Sequence, residues 1–177
     1  MNNEWKLVKI RDMDVLLKSS VVLARRKSME GRYPVIGGAV CAKFFHGIAN
    51  CHGETITISK SGGNAGFVNY FDKPIFVTKD CIKIQNENKI FYERVNLKYL
   101  YYYLKAIERD IYKFQYGCLV QHIKVSDIKN LAIPLPPFAE QEKIVVELDS
   151  LGTEQERNKA IINLVKLKNI GKSYETK

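Results

Sequence analysis

The spacing of apolar residues changes character part-way along the chain. Up to Gln85 the apolar runs are short and close to period two: Trp5 to Ile10, Tyr33 to Ile36, Thr55 to Ser59, Phe67 to Tyr70, Pro74 to Val77, and Ile82 with Ile84. Alternation of this kind, punctuated by glycine, predicts short β-strands forming a curved sheet. Gly37 and Gly38 end one strand, which Val40 to Phe45 is expected to resume after a turn. Thr55 to Ser59 alternates β-branched and small polar positions, as a strand with one face on a core would. Arg11 to Leu17 predicts a short helix that turns Met13, Leu16 and Leu17 inward.

From Asn96 the apolar interval becomes three and four. Leu97, Leu100, Tyr101, Leu104, Ile107, Ile111 and Phe114 mark one face of a helix over Asn96 to Phe114, with Asn96 as its cap. Tyr99, Tyr101, Tyr102 and Tyr103 on that helix are assigned to packing rather than to ligand stacking. A shorter helix is expected over Ser126 to Leu131, capped by Ser126 and anchored by Ile128 and Leu131. Pro134, Pro136 and Pro137 then stop any helix arriving from upstream. Glu140, Gln141 and Glu142 suit the N-terminus of a new one. Ile144, Leu148, Leu151, Gln155, Asn158, Ile162 and Val165 hold a heptad seam that predicts one long helix of coiled-coil type, although Gly152 weakens it by about 1 kcal/mol relative to Ala. The tail from Gly171 to Lys177 should fray. The expected architecture is α+β: a domain over residues 1–134 with a mostly antiparallel sheet and flanking helices, then a helix over residues 135–177.

Composition narrows the partner class. The 177 residues include 28 Lys and Arg against 19 Asp and Glu, a net charge of +9, and 46% are hydrophobic. A basic globular chain of this kind concentrates polyanions around itself, so nucleic acid is the leading partner; a basic balance that serves only solubility is the alternative. Arg25, Arg26 and Lys27 form a basic cluster that reads as a phosphate contact or as a solvated turn. There is no apolar run long enough to span a bilayer and no secretory leader at the N-terminus, which points to the cytoplasm and away from membranes. The four cysteines, Cys41, Cys51, Cys81 and Cys118, form no paired motif. Cys41, His46, Cys51 and His52 match no standard metal spacing, so no metal is expected.

Catalytic chemistry finds little support. His46, His52 and His122 have no companion that declares a triad, and neither a dinucleotide fingerprint nor a methyltransferase signature is present. Ser59 to Gly66 superficially suggests a phosphate-binding loop, but Lys60 precedes the glycines and a strand follows, whereas a nucleotide-binding loop places its lysine at a helix start. Gly62, Gly63 and Gly66 let backbone approach a ligand closely, while Lys60, Ser61 and Asn64 can bond a phosphate or a base edge. Gln121, His122 and Lys124 carry similar chemistry. On residues alone, an ordinary hairpin loop and a self-bonded turn remain open.

The wording of four stretches is more specific. Pro134 to Pro137, followed by Glu140, Gln141, Lys143, Ile144, Val145, Leu148 and Asp149, resembles the junction in specificity subunits of type I restriction-modification systems, where a target-recognition domain passes into a conserved helix. Tyr33 to Gly38, Ser59 to Gly66 and Gln121 to Lys124 extend the resemblance over roughly the full chain. It implies a non-catalytic reader of double-stranded DNA, with Arg32, Tyr33, Lys43, Lys60, Ser61, Asn64, Gln121, His122 and Lys124 facing the duplex. It also implies that the helix, through Ile144, Leu148, Leu151, Ile162 and Val165, meets a methyltransferase subunit or a second copy of the chain. S-adenosylmethionine, ATP and Mg would then belong to partner subunits, with a restriction subunit completing the cleaving complex and adenine as the modified base. Members of the family usually carry two recognition domains and two helices, and this chain has one of each. A half-length subunit that dimerises would read a palindromic split site. The competing readings are a basic oligomerisation module unrelated to restriction, and a nuclease with unrecognised carboxylates.

Overall fold

A computed structural model describes residues 5–13, 15–19, 30–86 and 95–168. The basic cluster Arg25 to Lys27 and the tail Gly171 to Lys177 lie outside the described residues. The principal sheet has four antiparallel strands in the order β2 (Leu16–Ser19), β8 (Cys81–Gln85), β5 (Thr55–Ser59), β6 (Val68–Phe71). A second sheet orders β4 (Phe45–His46), β3 (Tyr33–Ile36) and β7 (Phe76–Val77), with β3 and β7 parallel. A third pairs β1 (Lys6–Lys9) with β9 (Ala132–Leu135).

All five residues of β5 are buried, so the strand is covered on both faces rather than on one. Ile56 and Ile58 turn into the main core. Thr55, Thr57 and Ser59 occupy the opposite face of the pleat, the side of Cys81, which pairs with Ser59. There a smaller cluster of Ile36, Cys51, Ile75, Val77 and Cys81 covers them. The Thr55 hydroxyl tolerates burial by bonding: it donates to the His52 carbonyl at 2.8 Å and accepts from Gln85 Nε2 at 2.9 Å.

Helix α1 (Leu97–Ala106) begins where the sequence places it, with the Asn96 side chain accepting from the Lys98 and Tyr99 amides. It is interrupted at Ile107, and α2 (Glu108–Tyr112) follows. The offset turns Glu108 toward β6, where its carboxylate accepts from the Val68 amide at 2.8 Å and meets Lys105 Nζ at 2.7 Å. Lys105 is only 6% exposed, and its ammonium also lies 4.0 Å from the centre of the Phe67 ring. Tyr99, Tyr102 and Tyr103 are buried, as a packing role requires.

Three local expectations are corrected. Arg11 to Leu17 is not a helix: a single 3-10 turn at Ile10–Asp12 leads into β2, whose Leu16 and Leu17 pair with Gln85 and Ile84. Val40 to Phe45 does not resume a strand, since pairing is confined to Phe45–His46. Helix α3 (Val125–Asn130) has Lys124 at its cap position, so Ser126 sits inside the first turn and caps nothing.

The long C-terminal helix is likewise two helices, α4 (Phe138–Ser150) and α5 (Glu154–Leu167). Leu151 is extended, and Thr153 starts α5 with a capping box in which Glu156 answers its backbone amide. Arg157 seals the break by donating to the carbonyls of Leu148 at 3.1 Å and Leu151 at 2.8 Å. The helical phase restarts, so the heptad does not run through. Gln155 is exposed, and Ile161 rather than Ile162 is fully buried. Both helices pack on α1, placing Ile144, Leu148 and Val165 in the chain's own core, with Leu151 and Ile162 half-buried.

The proline stretch is a clamped junction. Ile133, Pro134 and Leu135 pair with β1, and Tyr99 Oη donates to the Pro134 carbonyl at 2.6 Å. Gln141 is fully buried; its Oε1 accepts from the Asn96 amide at 2.8 Å and its Nε2 donates to the Pro136 carbonyl at 2.9 Å. One side chain thereby fixes α4 to the start of α1.

Candidate nucleic-acid interface

Two loops far apart in sequence meet at one edge of the molecule. Lys60 to Gly66 leaves β5, and Tyr116 to Lys124 follows α2. The Gly62 amide donates to the Gln121 carbonyl at 3.0 Å and the Ile123 amide to the Lys60 carbonyl at 2.9 Å. Ser61 and Tyr116 each form a β-bridge with His122. Gly66 is required by this approach: it has φ +101°, and a Cβ there would fall 2.7 Å from the Tyr112 ring and 2.9 Å from Ile123 Cδ1.

A third segment joins from the end of β3. Asn64 Nδ2 donates to the Gly38 carbonyl at 3.3 Å, and a Cβ on Gly38 would lie 2.4 Å from the Ser61 carbonyl oxygen. Ser61 Oγ donates to Asp80 Oδ1 at 3.1 Å, and the Lys60 amide donates to the Asp80 carbonyl at 2.7 Å. The edge is thus built from the ends of β3, β5 and β7 together with the 116–124 loop.

The structure brings Lys60, Ser61, Asn64, Gln121 and His122 together, with Lys124 beside them and its ammonium 5.2 Å from the centre of the Tyr116 ring. Lys60 is half-buried and donates to Ser19 Oγ at 2.8 Å, so it helps shape the edge as well as charge it. Lys43 is exposed and precedes Phe44, whose carbonyl accepts from the Val35 amide, which sets it near the Ile36 end of β3. Arg32 and Tyr33 lie at the opposite end of that strand, where the Arg32 guanidinium sits 5.5 Å from the Tyr33 ring centre. They do not join the cluster. Sequence reasoning missed Lys79, which is exposed next to Asp80, and the apolar residues Tyr116, Leu119 and Val120 of the second loop.

The chemistry available here is recognition. Cations and amides can bond phosphate oxygens and base edges, and glycine-permitted close approach sets their positions. Burial pushes the Cys81 thiol up to about 12, with the nearby Asp80 carboxylate adding to the shift, so this cysteine is unreactive beneath the edge. Among the described residues no three His, Cys, Asp or Glu side chains gather as metal ligands would, and no helix is long and apolar enough to cross a membrane.

The sequence profile of the type I restriction modification DNA specificity domain matches residues 2–167. The chain belongs to that family. A protein of Mycoplasma pneumoniae named as a type I specificity subunit is 25% identical over 144 residues, covering 81% of this specificity-domain chain and 37% of its own length. The MjaVIII type I restriction enzyme specificity subunit of Methanocaldococcus jannaschii is 27% identical, covering 84% of this chain and 36% of its own length. The crystal structure of the type I restriction-modification S subunit from M. genitalium superposes with a TM-score of 0.73 at 26% identity, over 94% of this chain and 43% of that one. The HsdS subunit from Thermoanaerobacter tengcongensis shares the fold, with a TM-score of 0.62 at 18% identity over 97% of this chain and 46% of that one. The chain spans less than half the length of each of these relatives.

Proposed function

We propose that this chain is a non-catalytic DNA reader that recognises one half of a split target in a type I restriction-modification complex. The observation that carries this reading is the bonding of the Lys60 to Gly66 loop to the Tyr116 to Lys124 loop. It gathers cations, amides and an imidazole on one edge, in a chain of net charge +9. Phosphate contacts would supply affinity, and the Asn64, Gln121 and His122 side chains the base discrimination. The modifying chemistry, with its S-adenosylmethionine, ATP and Mg, would reside on methyltransferase and restriction subunits.

Those partners would meet the helical side of the molecule. The buried seam serves the chain's own packing, but Val146 on α4 and Leu167 on α5 are 69% and 81% exposed. A groove of ≈ 290 Å³ also opens between the two helices, bordered by Leu148, Leu151, Ile161 and Leu164. A second copy of the chain docking here would place two readers in two-fold relation over a palindromic split site.

The test is duplex binding by the purified chain over a salt series, with and without Mg. The reading expects log affinity to fall with log salt at a slope well above one, no cleavage, and a slope smaller by about one for Lys124→Gln. A slope near one, or Mg-dependent cleavage by the chain alone, would overturn it. On co-expression with a methyltransferase partner, adenine methylation should appear in a sequence-dependent pattern.

A further inference from the structure

The 116–122 hairpin holds an apolar tip away from the core. Its stem is closed by the Tyr116 amide to the His122 carbonyl at 3.0 Å and the His122 amide to the Tyr116 carbonyl at 2.8 Å. Gly117 turns the chain with φ +106°, and a Cβ there would lie 2.4 Å from the Val120 carbonyl oxygen. Gln121 Nε2 donates across the turn to the Gly117 carbonyl at 2.8 Å. These bonds leave the tip little freedom to turn inward, and Leu119 is fully exposed, with Val120 half exposed behind it.

The surroundings of this tip say what it fits. Its stem is bonded to Lys60 and Gly62, and the Lys124 ammonium lies over Tyr116 at its base. An apolar projection rimmed by cations and amides is poorly matched to a purely apolar pocket. It is well matched to a polyanionic surface that presents an isolated apolar group among hydrogen-bonding edges. In duplex DNA that group is the 5-methyl of thymine, displayed in the major groove beside acceptors and donors.

We propose that Leu119, backed by Val120, reads a thymine by packing against its 5-methyl group while the flanking Gln121 and Lys124 engage neighbouring edges and phosphates. The inference rests on the DNA-reading assignment above and adds a specificity-determining residue to it. Leu119 carries no internal packing, so Leu119→Ala should leave thermal melting unchanged.

The experiment selects duplexes from a randomised pool with the full chain. The enriched duplex is then resynthesised with deoxyuridine in place of each thymine in turn, which removes only the 5-methyl. At one position the wild-type chain should lose about fourfold in affinity, the worth of one buried methyl. Leu119→Ala should bind the thymine duplex about that much more weakly and lose discrimination at that position alone. Equal binding of thymine and deoxyuridine at every position, or undiminished discrimination in Leu119→Ala, would overturn the inference and leave the DNA-reading assignment standing. Failure to enrich any duplex would instead defeat that assignment and the inference with it.

Discussion

The helical side and the loop edge are held together in opposite ways. Around α1, α4 and α5 the polar groups are side chains buried against specific partners. Gln141 bonds Asn96 and Pro136, Tyr99 bonds Pro134, Tyr102 donates to Asp149, and Lys105 meets Glu108. At the loop edge the two loops are joined main chain to main chain, between Gly62 and Gln121 and between Lys60 and Ile123, while the Lys60, Ser61 and Asn64 side chains add bonds to neighbouring segments. The difference teaches where each region tolerates change. Backbone bonding holds the two loops together largely independently of which side chains they display, whereas the helical side, the base of the molecule, loses its geometry when one buried partner is removed.

The largest expected effect comes from charging the base. Leu148 is 3% exposed between α4 and the core, so Leu148→Asp buries an unpaired carboxylate and should cost about 4 kcal/mol or more in urea unfolding. Retained stability with loss only of self-association would instead place Leu148 at an intermolecular seam. Gln141→Ala should cost about 2 kcal/mol, because it strands the Asn96 amide and the Pro136 carbonyl without water. Equilibrium unfolding that leaves stability unchanged would break the comparison.

A smaller, pH-dependent loss sharpens it. Burial first, then the Glu54 and Asp72 carboxylates, push Tyr70 up to about 12; burial and Glu108 do the same to Tyr112. Tyr102 is raised by burial and by its bond to Asp149. A phenol whose folded pKa exceeds its unfolded value keeps its proton in the folded state after the unfolded chain has lost it. The contribution is therefore complete below about 10 and is lost as pH rises toward about 12. Urea midpoints should fall over that interval, with tyrosinate absorbance lagging in the native protein. Absorbance rising at the ordinary value would show these phenols to be open to water.

Much of the base was legible. Asn96 announces α1 by composition and spacing, and β5 is visible in Thr55 to Ser59, although one strand's pattern does not show that a second sheet covers its polar face. The break between α4 and α5 was also written, in Thr153 and Glu156, but the apolar repeat from Ile144 to Val165 outweighed a short capping signal. The edge was less legible because its members come from distant segments. Nothing in local spacing links Lys60 to Gln121, and only the resemblance in wording put them on one surface. Separation of Arg32 and Tyr33 from that cluster follows from the direction of β3, which sequence does not display. Leu119 was invisible because exposure of a single loop residue leaves no periodic trace.

The central claim is that the loop edge chooses the target while the base only holds it in place. Its most direct test is long-read mapping of methylated adenines in cells carrying a methyltransferase partner and either the wild-type chain or Lys60→Ala with Asn64→Ala. The account predicts an altered methylation motif from a doubly substituted chain that melts within a few degrees of wild type. An identical motif from the two chains would contradict it.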